Sequence, residues 1–346
     1  MWTHWNRSLI FYIDYKSFAP GVGHRRQLSV LKRRQTVWIL LITALAVTLA
    51  AGVSVGSERL SLFDLTDAHR SILFDIRLPR VLLGACVGAS LAVAGASLQS
   101  LLRNPLAEPY LLGVSNGAAL GTMLAFVFFE GFSFARPVLA FAGAGIATIA
   151  VYRMAQSRAG MNVERLVLSG VIVTTFLSSI IVLLTSVLDA AKLRGFTFWL
   201  LGDLSQATYE GFYLTLAAAT AGTIVLSSQA RALNLMMVGE RDAQDFGVEV
   251  SRVRLIVFGL ASLLVGTSVA ASGSVGYVGL IVPHLVRLSV GSDNRLVVPM
   301  SAVAGAIFVV LADAVARTAI APRELPVGAI TALVGAPVFI YLLRKN

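Results

Sequence analysis

The side chains able to do chemistry are few and widely spaced. One apolar block carries Ser169, Thr174, Thr175, Ser178 and Ser179. Thr174 and Ser178 stand four apart, as do Thr175 and Ser179, so on a helix they form a polar strip among Leu, Val and Ile. Such hydroxyls can line a polar path, and each can equally bond back to a carbonyl of its own helix. Asp313 stands four residues before Arg317, the spacing of an intrahelical ion pair. His4, His24, His69 and His284 are far apart and lack ligand spacing, so no dedicated metal site is expected. Cys86 is the only cysteine, which excludes an intrachain disulfide or a thiolate cluster. Within the run Leu82–Gly88 it reads as a small buried side chain. No G-x-x-x-x-G-K-[ST] pattern occurs, so the sequence offers no loop of that kind to cradle phosphates. No nucleophile–base pair or carboxylate pair stands out inside an apolar block.

The elements that must position these residues are long apolar blocks. Of 346 residues, 57% are hydrophobic and 13% charged, against roughly 25% charged in a soluble chain. That leaves too little charge to coat a water-facing surface, and excludes a soluble enzyme, a nucleic-acid-binding domain and a disordered chain. The blocks run 37–55, 81–101, 111–129, 134–152, 166–188, 211–228, 253–272, 277–290, 297–316 and 327–343. Most approach the ~20 residues that cross about 30 Å of hydrocarbon. The expectation is an all-α membrane protein of ten transmembrane helices. Open sheet edges cannot face lipid, so strands are not credible here. The eighth block is short, and Pro283 interrupts its helical pattern.

Residues 1–36 are polar and basic and end in Lys32-Arg33-Arg34; they read as a cytoplasmic tail ahead of a ten-helix domain over 37–346, not as a removed signal peptide. The net charge of +10 points to membrane orientation, not to nucleic acid. With the N-terminus inside, 19 of the 28 Lys and Arg fall in cytoplasmic segments and 9 outside, which places both termini in the cytoplasm. The outside arginines are then a surplus that needs a reason. Gly84, Gly88, Ala92 and Ala96 recur every four positions in the second block, and Gly113, Gly117 and Gly121 in the third. Small residues at that spacing let helix backbones approach closely in lipid.

The longest cytoplasmic loop, 229–252, mixes charges with apolar residues around Gly239. Two short helices bent at Gly239 fit the pattern, with Leu235, Met236, Val238, Ala243 and Phe246 as an apolar face. That face either folds onto its own bundle or docks a cytoplasmic partner.

Several motifs in order carry a resemblance. They are Arg77-Leu78-Pro79-Arg80, Asn104-Pro105-Leu106-Ala107-Glu108-Pro109, Leu111-Leu112-Gly113-Val114-Ser115-Asn116-Gly117-Ala118, the run from Gly273 through Pro283-His284 to Arg287, Glu324-Leu325-Pro326-Val327-Gly328, and Gly335-Ala336-Pro337-Val338-Phe339. Together these closely resemble the permease subunit of the ABC importers for iron-siderophore, haem and vitamin B12, the FecCD family. The resemblance covers about residues 40–346 and leaves out the basic tail.

The resemblance implies a ten-helix permease that works as a dimer, expected to be a homodimer. Its partners would be two ATPase subunits holding ATP and Mg, and a periplasmic or lipid-anchored substrate-binding protein. No cofactor is expected in this chain. The setting would be a bacterial or archaeal plasma membrane, with lipid as the surrounding partner. In the family, arginines matching Arg77, Arg80 and Arg317 face acidic residues of the binding protein, and exposed guanidinium forks suit carboxylates. The helix bearing Ser169, Thr174, Thr175, Ser178 and Ser179 would line the translocation path. Asn162, Val163 and Glu164 match the cytoplasmic gate, although Glu164 departs from the hydroxyl residues usual there. The ATPase would be met through Leu235, Met236, Gly239, Glu240, Arg241, Asp242, Ala243, Phe246 and Gly247.

Two other function classes compete. An ion-coupled secondary carrier predicts an intramembrane carboxylate relay and paired broken helices, and the sequence displays neither clearly. A membrane enzyme or sensor predicts a catalytic cluster or a signalling domain, and the sequence displays neither.

Overall fold

In hydrocarbon, backbone groups must be satisfied within the segment, so apolar blocks of this length become helices. The computed structural model describes residues 24–56, 66–129, 132, 134–157 and 160–345. Each of the ten expected blocks contains a helix. They are α1 (His24–Ser54), α3 (Leu78–Leu101), α4 (Val114–Phe128), α5 (Ala135–Ala155), α6 (Val163–Thr185), α8 (Tyr209–Ser228), α11 (Val250–Ser272), α12 (Val278–Val290), α13 (Asn294–Thr318) and α14 (Val327–Lys345). Among the described residues, four shorter α-helices lie between them: α2 (Asp67–Ser71), α7 (Ala190–Leu200), α9 (Ala230–Val238) and α10 (Glu240–Asp245), with a π-helical turn at Ile72–Arg77 and a 3-10 turn at Pro109–Leu112. The strands described are two of two residues each, β1 (Gln156–Ser157) and β2 (Gly160–Met161), paired antiparallel just before α6. Of the expected basic tail, residues 1–23 lie outside the described residues. The remainder is already helical, so α1 starts 13 residues before the apolar block at 37.

Among the described residues, seven helices are long and apolar enough to cross a membrane, and three more, at 114–128, 278–290 and 327–341, are shorter apolar helices. Burial sorts them into a centre and a rim. The apolar window of α3 is 83% buried and that of α11 61%, against 22% for α6 and 11% for α1. The small-residue stripes explain how the centre closes. A Cβ on Gly88 would lie 2.1 Å from the Gly305 carbonyl oxygen, so α3 and α13 cross backbone to backbone there. Gly117 and Gly143 bring α4 and α5 together in the same way, with a Cβ on Gly143 falling 2.1 Å from the Gly117 oxygen. In lipid such fits stand in for the missing hydrophobic drive.

Pro283 does not end α12; it lies inside it. Its ring nitrogen has no hydrogen to give the carbonyl of Gly279, four residues back. A neighbouring helix supplies the donor: Gln99 Nε2 on α3 donates to the carbonyls of Gly279 (3.1 Å) and Leu280 (3.2 Å). Arg287 Nη1 donates to Gln99 Oε1, which fixes the amide's orientation. The starts of α4 and α12 also meet. Tyr110 Oη donates to the Val275 carbonyl (2.9 Å) and accepts from the Val275 amide (3.0 Å), while Glu108 accepts from the Tyr277 amide (3.0 Å). The segments that lead into α4 and α12 are therefore pinned to each other, an arrangement the sequence pattern does not display.

Candidate functional site

Three groups of residues anticipated from the sequence have definite surroundings. The hydroxyl strip on α6 splits into two rows. Thr174 and Ser178 turn toward α4, where Asn116 Nδ2 donates to Ser178 Oγ (2.6 Å) and to the Thr174 carbonyl (3.2 Å). Thr175 and Ser179 are exposed and bond back to the carbonyls of Val171 (2.9 Å) and Thr175 (3.0 Å). Ser169 is buried. Around the outer row α6 exposes Leu168, Ile172, Phe176, Val182 and Leu183. Only the Thr175–Ser179 row is thus open in a single copy.

The second group lies where α1, α3 and α13 meet. The expectation of exposed arginines is corrected here: Arg77, Arg80 and Arg317 are 5%, 6% and 3% exposed. Arg80 reaches Asp313 Oδ1 (2.9 Å) and Glu324 Oε2 (2.7 Å). Arg317 Nε stands 3.0 Å from Asp313 Oδ2, the intrahelical pair read from the i, i+4 spacing. Arg77 donates to the Ser54 carbonyl (2.9 Å), and Arg317 to that of Gly52 (2.9 Å). The physical reason is the end of α1, whose last carbonyls have no donor within the helix and carry its negative pole. Among the described residues, Asp313 and Glu324 are the carboxylates paired with Arg80 and Arg317. Glu324, 36% exposed at its side chain, is the accessible member.

The third group lies at the opposite end of α3. Residues 230–238 and 240–245 form the two short helices expected, with Gly239 between them. Their apolar residues do not share one face: Met236 and Ala243 are buried in the bundle and Leu235 is half-buried, whereas Val238 and Phe246 are 50% and 74% exposed. Arg241, Asp242 and Gly247 are exposed as well. Partly buried contacts hold α9: the Asn234 side chain donates to Asp293 (2.7 Å) and accepts from the Asn294 amide (2.9 Å). Glu240 pairs with Arg254 and lies 3.5 Å from Arg103. Nearby, Asn162 caps α6 by accepting from the Arg165 amide (3.0 Å). Val163 is half-buried and Glu164 exposed in the first helical turn, where a carboxylate suits the positive pole.

Sequence reasoning does not single out Gln99, Asn116 or Arg254. Asn116 lies within one of the motifs, and Arg254 enters only through the charge balance that sets topology. A polar or charged residue inside an apolar block is the available signal for all three.

Comparison with known proteins settles the family. The profile of the FecCD transport family matches residues 38–345. The chain belongs to the FecCD transport family. Among FecCD relatives, it is 42% identical to the cobalamin import system permease protein BtuC of Halobacterium salinarum, over 82% of this chain and 76% of that one. It is 39% identical to the hemin transport system permease protein HmuU of Yersinia pestis, over 89% and 93% of the two chains. The iron(3+)-hydroxamate import system permease protein FhuB of Bacillus subtilis is 39% identical over 81% of this chain and 73% of its own. A solved structure of a metal-chelate type ABC transporter in an inward-facing conformation superposes with a TM-score of 0.81, at 33% identity, covering 90% of this chain and all of that one. As a FecCD protein the chain is a multi-pass membrane permease of the ABC-importer kind, whose ATPase is a separate subunit. The extent expected from the motifs, about 40–346, agrees with the matched residues.

Proposed function

We propose that this FecCD chain is one half of a homodimeric permease that passes an iron chelate, haem or cobalamin into the cytoplasm. The observation that carries the reading is the exposed Thr175–Ser179 row on a largely apolar, half-open α6. One copy leaves that row without an opposite wall; a second copy facing it would enclose a weakly polar path. Hydroxyls already bonded to their own helix hold passing cargo loosely. Thr174, Ser178 and Ser169 lie behind this row and shape the wall.

ATP and Mg would be held by two separate ATPase subunits, so this chain has no hydrolytic step of its own. Phe246, Val238 and the exposed charges of α10 form the surface those subunits would meet, with Glu240 and Ala243 anchoring the helix behind it. Asn162, Val163 and Glu164 would form the inner gate. Both termini would lie in the cytoplasm of a bacterial or archaeal cell, by the distribution of Lys and Arg. The Arg77–Arg80–Arg317 cluster would face an external binding protein. Because its arginines are internally paired, a partner carboxylate would have to displace the partly exposed Glu324 from Arg80.

The substrate class is tested by reconstituting the permease with its ATPase and binding protein and presenting labelled ferric hydroxamate, haem and cobalamin. ATP-dependent accumulation of one of the three is expected. Accumulation of none would contradict the reading.

A further inference from the structure

Arg254 lies in the second turn of α11, 9% exposed, at the same end of the bundle as α10. Its guanidinium reaches in two directions. Nη1 donates to the Met161 carbonyl at 2.8 Å, and Nη2 pairs with Glu240. Glu240 is the first residue of α10. Met161 ends β2 and is followed directly by Asn162, the cap of α6. One planar group therefore joins the first residue of α10 to the segment that starts α6.

Among the described residues, this link is the side-chain connection between the two. The neighbouring helix α9 is tied elsewhere, to Asp293 and Asn294 at the start of α13. Arg103, at 3.5 Å from Glu240, connects α10 to the end of α3 but not to α6. A displacement of α10 that carries Glu240 along thus pulls on a charge-assisted pair, buried on its Arg254 side and 41% exposed on its Glu240 side, and the other arm of the same fork bears on Met161. A guanidinium holds both arms in a fixed plane, whereas a lysine offers a single ammonium and cannot meet both partners in that geometry.

We propose that Arg254 is a positioning residue that transmits movement of the ATPase-docking helix α10 to the inner start of α6, so that hydrolysis and gating stay in step. The proposal rests on the reading of α10 as the docking surface and of residues 162–164 as the gate. Arg254 touches neither ATP nor cargo; it acts through Glu240 and Met161.

The test uses the complete transporter, permease with ATPase subunits, in nanodiscs. Glu164→Cys in a Cys86→Ala background gives a reporter at the gate, labelled with a water-soluble maleimide without nucleotide and with ATP plus vanadate. With Arg254 in place, the labelling rate is expected to change between the two states. Arg254→Gln should retain ATPase capture and hydrolysis but lose most of the nucleotide-dependent change, about tenfold, within the usual range of coupling between sites. Arg254→Lys, which keeps charge and bulk in case the glutamine variant folds poorly, should lose most of it too. Glu240→Gln combined with Arg254→Gln should respond no less than Arg254→Gln alone, as expected for residues acting as one link. A full nucleotide response in either Arg254 variant with captured ATPase would overturn the proposal and leave the docking reading standing. Loss of ATPase capture by Arg254→Lys would also overturn it, by making Arg254 part of the attachment. Full capture of the ATPase by a Phe246→Ala, Val238→Ala variant would overturn the docking reading, and the proposal with it.

Discussion

At the scale of single residues, the surplus arginines of one end of the bundle serve the fold first. Arg77 and Arg317 satisfy carbonyls at the end of α1, and Arg80 and Arg317 flank Asp313. Asp313 is 1% exposed, so Asp313→Asn should lower the yield of folded protein by leaving two buried guanidinium groups short of a counter-charge. Glu324 differs because it is partly exposed. If a partner's carboxylate competes with it for Arg80, Glu324→Gln should lower the binding-protein concentration that half-saturates ATPase stimulation. The expected change is about fivefold, the ~1 kcal/mol that a partly exposed pair is worth at most. Titrating stimulation against binding protein checks this; an unchanged half-saturation point would remove Glu324 as the competitor. Of this cluster only the Asp313–Arg317 pair is legible in the sequence, because its spacing is local. The contact of Arg80 with Glu324 spans 244 positions and depends on how α3 and α13 cross, which no local pattern encodes.

Among the elements, α12 is the clearest case of a helix completed by its neighbour. Pro283 removes one donor, and Gln99 returns it from α3 under the hold of Arg287. Gln99→Leu should therefore leave the Gly279 carbonyl without a donor and the half-buried Arg287 with one partner fewer, and cost about 1–3 kcal/mol. Pro283→Ala restores an N–H four residues after Gly279. The double variant Gln99→Leu, Pro283→Ala should accordingly regain part of the stability lost by Gln99→Leu alone. Thermal unfolding of the three proteins in one detergent measures this; additive losses would contradict it. The proline is legible in the sequence as an interruption, but not as a repaired one, since the donor Gln99 lies 180 residues from the Gly279 carbonyl it serves. The two short helices on either side of Gly239 are legible too, because turn and periodicity are local signals. The single apolar face expected of them does not form: Met236 and Ala243 point into the bundle, which only the packing of α9 and α10 against it decides.

For the whole molecule, apolar block length and charge suffice for the ten helices, and the small-residue stripes anticipate their close crossings at Gly88 and Gly117. Which helices form the centre is not legible, because α3 and α6 are both apolar while their burial differs fourfold. On the proposed reading, the exposed apolar length of α6, with one hydroxyl row bonded to its own helix, faces a second copy. An importer of this family would run that assembly on ATP, whereas an ion-coupled carrier would run it on a gradient. The decisive measurement is chelate accumulation in proteoliposomes holding the permease, its ATPase and its binding protein. ATP inside the vesicles is compared with an imposed proton or sodium gradient. Accumulation that needs ATP, survives ionophores and stops when the ATPase subunit is omitted is the predicted result. Accumulation driven by the gradient without ATP or the ATPase subunit would contradict ATP-driven import.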